Sequence, residues 1–113
     1  MANPLHVEML KQGGETWNRW WTERQAAEDI SAFAADIRGA HLQGLKLIGA
    51  KLPISNFEGA YLEDVVIENA WLISARFQGA TLHNVHFTKS DLTGVHFDGA
   101  RIIGGGFESG VSS

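Results

Sequence analysis

Fifteen consecutive five-residue units run without a slip from Ala35 to Ser109. The middle residue of each unit is large and apolar: Ile37, Leu42, Leu47, Leu52, Phe57, Leu62, Ile67, Leu72, Phe77, Leu82, Phe87, Leu92, Phe97, Ile102 and Phe107. Two residues earlier stands a mostly small one, as at Ala40, Ser55, Val65 and Ala80; Leu45 is the one large exception. Two residues later Gly dominates, with Asp64, Asn69, Ser74 and Asn84 among its replacements. Self-similarity of this strictness decides the architecture before local propensity is weighed.

Five matches neither the helical period of 3.6 nor the strand period of 2. Within a unit, however, the small and the large residue are two apart. In an extended segment they share one face, and the residues between and after them point the other way. The fifth position carries turn chemistry. Each unit therefore reads as a three-residue strand piece plus a corner, and the chain coils with its large residues inside. The number of sides follows from the Phe residues. Phe57, Phe77, Phe87, Phe97 and Phe107 all fall in alternate units, and the units between them hold only Leu or Ile. Such segregation needs an even number of sides. A square coil of twenty residues stacks Phe57, Phe77 and Phe97 in one column and Leu42, Leu62 and Leu82 in another.

Units such as Ala35-Asp36-Ile37-Arg38-Gly39, Ser55-Asn56-Phe57-Glu58-Gly59 and Ser90-Asp91-Leu92-Thr93-Gly94 resemble the pentapeptide-repeat family, whose pattern is small, Asp or Asn, Leu or Phe, polar, Gly. The resemblance implies an all-β solenoid, a right-handed quadrilateral β-helix of about four coils. The Asp/Asn position departs from the pattern in many units, among them His41, Lys51, Tyr61, Val66, Trp71, His86 and Arg101. Those positions point outward, so the fold tolerates them and the surface chemistry is this chain's own. Residues 35–109 are the expected β-helix, 1–34 an N-terminal α-helical cap and 110–113 a tail.

The cap has its own signals. Asn3 followed by Pro4 is a helix start, Leu5 and Met9 share a face, and Gly13-Gly14 is a stop. A second helix is expected from about Glu15 to Ala27, with Trp17, Trp20 and Trp21 on one apolar stripe. This stretch resembles an N-terminal cap found on some bacterial pentapeptide-repeat proteins. The three Trp read as a plug over the first coil, with a ligand or partner site as the alternative; Ile30 and Phe33 are expected to finish the closure. An open coil would expose strand edges that template pairing. At the far end, the fourth coil is expected to lack its fourth side.

The net charge of −4 is split evenly, −2 in residues 1–34 and −2 in 35–113. That gives no basic footprint for direct nucleic-acid binding. There is no Cys, and no stretch is long enough to cross a membrane. Met1–Leu10 lacks the marks of a signal peptide, so a cytoplasmic location is expected. His41, His83, His86 and His96 fall on three sides of the square, so at most two converge, fewer than zinc requires. Carboxylates sit at outward positions of a convex rod, without the cleft that acid–base chemistry needs. Gly104-Gly105-Gly106 has no following helix and is no phosphate loop. No metal, cofactor or catalytic residue is expected.

Outward apolar residues are the remaining signal. Ile48 and Val66 fall on the third side, and Pro53, Trp71 and Ile73 on the fourth, with Ile54 at a corner. They read either as one interface patch or as the seat of the N-terminal segment. The expected function is a non-enzymatic protein–protein interaction or scaffold module with an unidentified protein partner. The family resemblance also raises a DNA-mimicking modulator of DNA gyrase, but near-balanced charge and few coils speak against it. A homodimer through the C-terminal coil, with Phe97, Ile102 and Phe107 at the seam, is the expected assembly.

Overall fold

Every fifth position turns the chain through a left-handed backbone conformation. The glycines at these corners, and also Ile54, Asp64, Asn69, Ser74, Asn84 and Lys89, have positive φ, the six non-glycines between 51° and 60°. Asn, Asp and Ser tolerate this region through local hydrogen bonding, whereas a β-branched residue there is strained. Ile54, at φ 52°, is such a residue. The structure, a computed structural model, describes residues 2–26, 34–106 and 111–112.

Between corners the chain is extended, and parallel pairing advances by twenty residues at every turn. The second side carries β1 (His41–Gln43), β3 (Tyr61–Glu63), β5 (Thr81–His83) and β8 (Arg101–Ile103). The third side carries β2 (Lys46–Ile48), β4 (Val66–Glu68) and β6 (His86–Thr88), and His86 bridges on to Gly106. The first side is a ladder of single bridges, Asp36 to Asn56 to Arg76 to His96. On the fourth side Lys51 bridges Trp71 and Trp71 bridges Asp91. There β7 (Asp91–Leu92) pairs with β9 (Val111–Ser112). The result is the expected four-sided parallel β-solenoid with an N-terminal helical cap. Three turns are complete and the fourth is partial, slightly fewer than the four coils anticipated.

Two departures concern that last turn. Its fourth side is not empty, because Val111 and Ser112 hold the same twenty-residue register opposite Asp91 and Leu92. Ser112 stands where the large apolar residue belongs, so this unit carries no repeat signal in the sequence. Ile102 is also no core residue. Leu42, Leu62 and Leu82 above it are at most 1 % exposed, whereas Ile102 is 44 % exposed. A side chain in a stack is covered only when a coil lies on each side of it. Phe97 is half-buried for the same reason, and Phe107 lies outside the described residues.

The interior is otherwise as the columns require. Phe57 and Phe77 stack at 4.6 Å with planes 4° apart, and Phe97 continues the column 5.5 Å below Phe77. Phe87 meets Phe77 edge-on at 5.9 Å. Buried polar groups in the small positions are satisfied: the Ser55 hydroxyl donates to the Leu52 carbonyl, and the Ser90 hydroxyl accepts from the Ala70 amide.

The cap consists of α1 (Pro4–Leu10) and α2 (Gly14–Ala26). The Asn3 side chain accepts from the Leu5 and His6 amides, as a capping residue should. The buried face of α1 is His6 and Leu10; Leu5 is exposed and Met9, on the same face as Leu5, is half-buried. The pair replaces a missing coil by supplying backbone-like partners to the first one. The Asn18 carboxamide donates to the Gly49 carbonyl and accepts from the Lys51 amide, both at 2.8 Å, the two bonds a neighbouring strand would make. Trp17, fully buried, donates its indole N–H to the Lys51 carbonyl at 2.8 Å. On the first side the Asn3 amide donates to the Asp36 carbonyl, and His6 Nδ1 accepts from the Asp36 amide. Gly14 is required for this fit, since a Cβ there would lie 2.4 Å from the Ile48 carbonyl oxygen. Trp20 and Trp21 are half-buried against the core, and Ile30 and Phe33 lie outside the described residues.

Candidate functional site

The fourth side presents its outward residues in two columns set by the twenty-residue register. One runs Lys51, Trp71, Asp91 and the other Pro53, Ile73, Thr93. Alternation within each unit points Leu52, Leu72 and Leu92 inward, all buried, and forces their neighbours out. Trp71 is thereby 50 % exposed and Ile73 39 %. Pro53, one coil earlier in the column of Ile73, is half-buried, and Ile54 projects from the corner beside it, 49 % exposed.

The Lys51 ammonium lies 5.4 Å from the centre of the Trp71 ring, a cation–π contact that orders the indole. On the other flank a shallow, open depression of about 500 Å³ is lined by Trp71, Ile73, Asn69, Lys89 and Asp91. Asp91 Oδ1 accepts from the Thr93 hydroxyl at 2.6 Å and the Thr93 amide at 3.1 Å. The hydroxyl bond, with the amide bond behind it, holds the Asp91 carboxyl below the usual carboxylate range, so it is charged at neutral pH. Among the described residues neither Lys51 nor Asp91 forms an ion pair.

Other outward apolar residues are placed differently. Ile48, half exposed, stands at the end of the third side where the turn between α1 and α2 comes down on its backbone. Val66 lies at the opposite edge of that side, flanked by Lys46 and His86, and is half-buried. The structure thus brings Pro53, Trp71, Ile73 and Ile54 together and leaves Val66 apart. The N-terminal helices seat on Ile48 and the first coil's edge, and Trp71 stays half exposed.

Several of the remaining polar groups meet neighbours within the same or the adjacent coil. His83 Nδ1 sits 3.6 Å from Glu63 Oε2. Asn84 donates to Asp64 at 2.8 Å, and its Oδ1 lies 3.2 Å from His86 Nε2. His41 meets the Tyr61 ring edge-on at 4.6 Å. Among the described residues no three His, Asp or Glu side chains are placed to hold a metal ion, and no helix is long and apolar enough to cross a membrane. Near the first coil Arg38 grips Asp36 through two 2.8 Å bonds. That side-chain hydrogen bond is the main cause holding the Asp36 carboxyl below its ordinary range, against a smaller opposing effect of burial. His6 and Asn18, which join the helical cap to the first coil, are side chains that sequence reasoning did not single out.

The match to a family model agrees with the geometry. The family model described as pentapeptide repeats matches residues 40–79 and 72–104. Among solved structures, the chain is similar to a pentapeptide repeat protein of the Arabidopsis thaliana thylakoid lumen, at 20 % identity and TM-score 0.43, over 68 % of this chain and 59 % of that one. It is also similar to HetL, a pentapeptide repeat protein involved in heterocyst differentiation regulation in the cyanobacterium Nostoc, at 22 % identity and TM-score 0.42, over 66 % of this chain. The chain spans 37 % of HetL's length. No curated protein matches this sequence. With the family model covering more than half of its residues and the twenty-residue register visible on all four sides, the chain belongs to the pentapeptide-repeat family.

Proposed function

We propose that this protein is a non-enzymatic protein–protein interaction module that docks through the fourth side, around Trp71. One observation carries the reading: a large aromatic, Trp71, and an isoleucine, Ile73, stand exposed side by side at outward positions where the repeat asks for polar residues. Ile54 strengthens it. A half-exposed isoleucine in a left-handed corner is costly to the fold and gains only part of the burial a core isoleucine has, and strain of this kind concentrates at functional positions. Large apolar groups clustered on a rigid face mark interaction sites, and Trp is the residue most enriched at binding hot spots.

The test is Trp71→Asp. Affinity capture from an extract, followed by mass spectrometry, should show proteins bound to the unaltered chain and lost with the variant, while thermal unfolding stays unchanged. Capture that is indifferent to Trp71→Asp, or lost only together with stability, contradicts the reading.

A further inference from the structure

We infer that the fourth side is built to receive a second copy of this chain, lying alongside and antiparallel, with a two-fold axis passing through the Trp71 coil. The inference rests on the docking role of that side and names its occupant.

The argument starts from the register. Lys51, Trp71 and Asp91 occupy the same outward position in three successive coils, about 4.8 Å apart along the rod. The column therefore reads cation, aromatic, anion from one end to the other. Two such faces brought together about an in-plane axis across the rod, at the level of Trp71, exchange the first and third coils. Lys51 then stands opposite the partner's Asp91, and Asp91 opposite the partner's Lys51. Trp71 and Ile73 meet their own copies at the centre. A parallel side-by-side arrangement puts Lys51 at the level of its own copy and gains no such pairing. Isologous two-fold contacts are the commonest closed assembly because one patch serves both partners.

Two details of the face fit this register. Neither charge is engaged in an ion pair among the described residues, and the Asp91 carboxylate is kept ionised by Thr93. Shape matches as well. The projecting corner residue Ile54 of the first coil falls opposite the same corner of the partner's third coil, which is Gly94. A knob thus meets a position without a side chain. The centre is apolar and the charged pairs lie to either side, the arrangement of an interface core with a polar rim.

The experiment uses size-exclusion chromatography with light scattering at roughly 100 µM protein, a concentration that reveals even micromolar self-association. The unaltered chain should run as a dimer. Lys51→Asp and Asp91→Lys, each alone, place like charges opposite each other twice and should weaken self-association by at least about tenfold. An equimolar mixture of the two variants restores both attractive pairs and should recover the dimer. Matching thermal unfolding of the two variants excludes misfolding as the cause, and recovery on mixing does so independently. A monomeric unaltered chain overturns the inference. So does a dimer unmoved by either charge reversal, or one lost on charge reversal and not recovered by mixing; Ile102→Asp would then show whether the seam lies at the last coil instead. Loss of other captured proteins on Trp71→Asp alongside a monomeric chain would leave the docking role standing and remove only the second copy.

Discussion

Leu62 and Ile102 belong to the same interior column, two coils apart, and are worth different amounts to the fold. Leu62 has Leu42 above and Leu82 below and is fully buried; Ile102 has only Leu82 above it and is 44 % exposed. The first coil contrasts with the last in the same way. Ile37 and Leu47 are fully buried because α1 and α2 lie over them, with Trp17 inserted and Asn18 standing in for a strand. In a solenoid the unit of stability is the contact between adjacent coils. A side chain's contribution is therefore set by the number of coils, or coil substitutes, that touch it.

The comparison is tested first where the largest effect is expected. Phe77 is sandwiched between Phe57 and Phe97. Phe77→Ala should cost about 3–5 kcal/mol in urea unfolding. A loss below about 1 kcal/mol would mean that the stack is not the core. Next comes the strand substitute. Asn18→Ala leaves the Gly49 carbonyl and Lys51 amide without their partners and should cost about 1–3 kcal/mol; faster amide exchange at Lys51 would locate the loss. Ile54→Gly has the opposite sign. Relief of the left-handed strain should raise stability by about 1 kcal/mol, and a drop in melting temperature would show that Ile54 is packed.

Acid should act weakly, on the first coil through Asp36 and on the third through Asp91. The Asp36 carboxyl is depressed in the folded chain by Arg38, so its contribution is fully present above the ordinary carboxylate range and is lost as pH falls through the folded value. The melting temperature should change little between neutrality and about pH 5 and fall below about pH 4. Asp36→Asn should remove part of that fall. The smallest effect is expected at an outward polar position: Thr81→Ala should change stability by under about 0.5 kcal/mol.

Much of this was legible from the period alone. The phase of the repeat puts Leu62 inside and Trp71 outside, and its parity puts Phe57 over Phe77. Corners followed too, including the one at Ile54, because the fifth position is the same in every unit; the left-handed backbone there is seen only in the structure. What escaped was chemistry outside the repeat. Asn18 meets the first coil across more than thirty residues of sequence, through two backbone groups that carry no side-chain signal. His6 reads as an ordinary polar residue until its Nδ1 is seen accepting from Asp36. The last side was missed because Ser112 lacks the apolar side chain by which units are recognised, although the register persists. Exposure of Ile102 is a property of its neighbours and not of its own unit, so no pattern within the unit reveals it.

The most direct test compares Leu62→Ala with Ile102→Ala by urea unfolding under identical conditions. The two truncations remove similar aliphatic volume from one column. Leu62→Ala should lose about 2–5 kcal/mol, and Ile102→Ala under about 1 kcal/mol, because little burial is forfeited. Equal losses would contradict the account, since they would require the last coil to be covered as fully as the coils between the helical cap and Phe87.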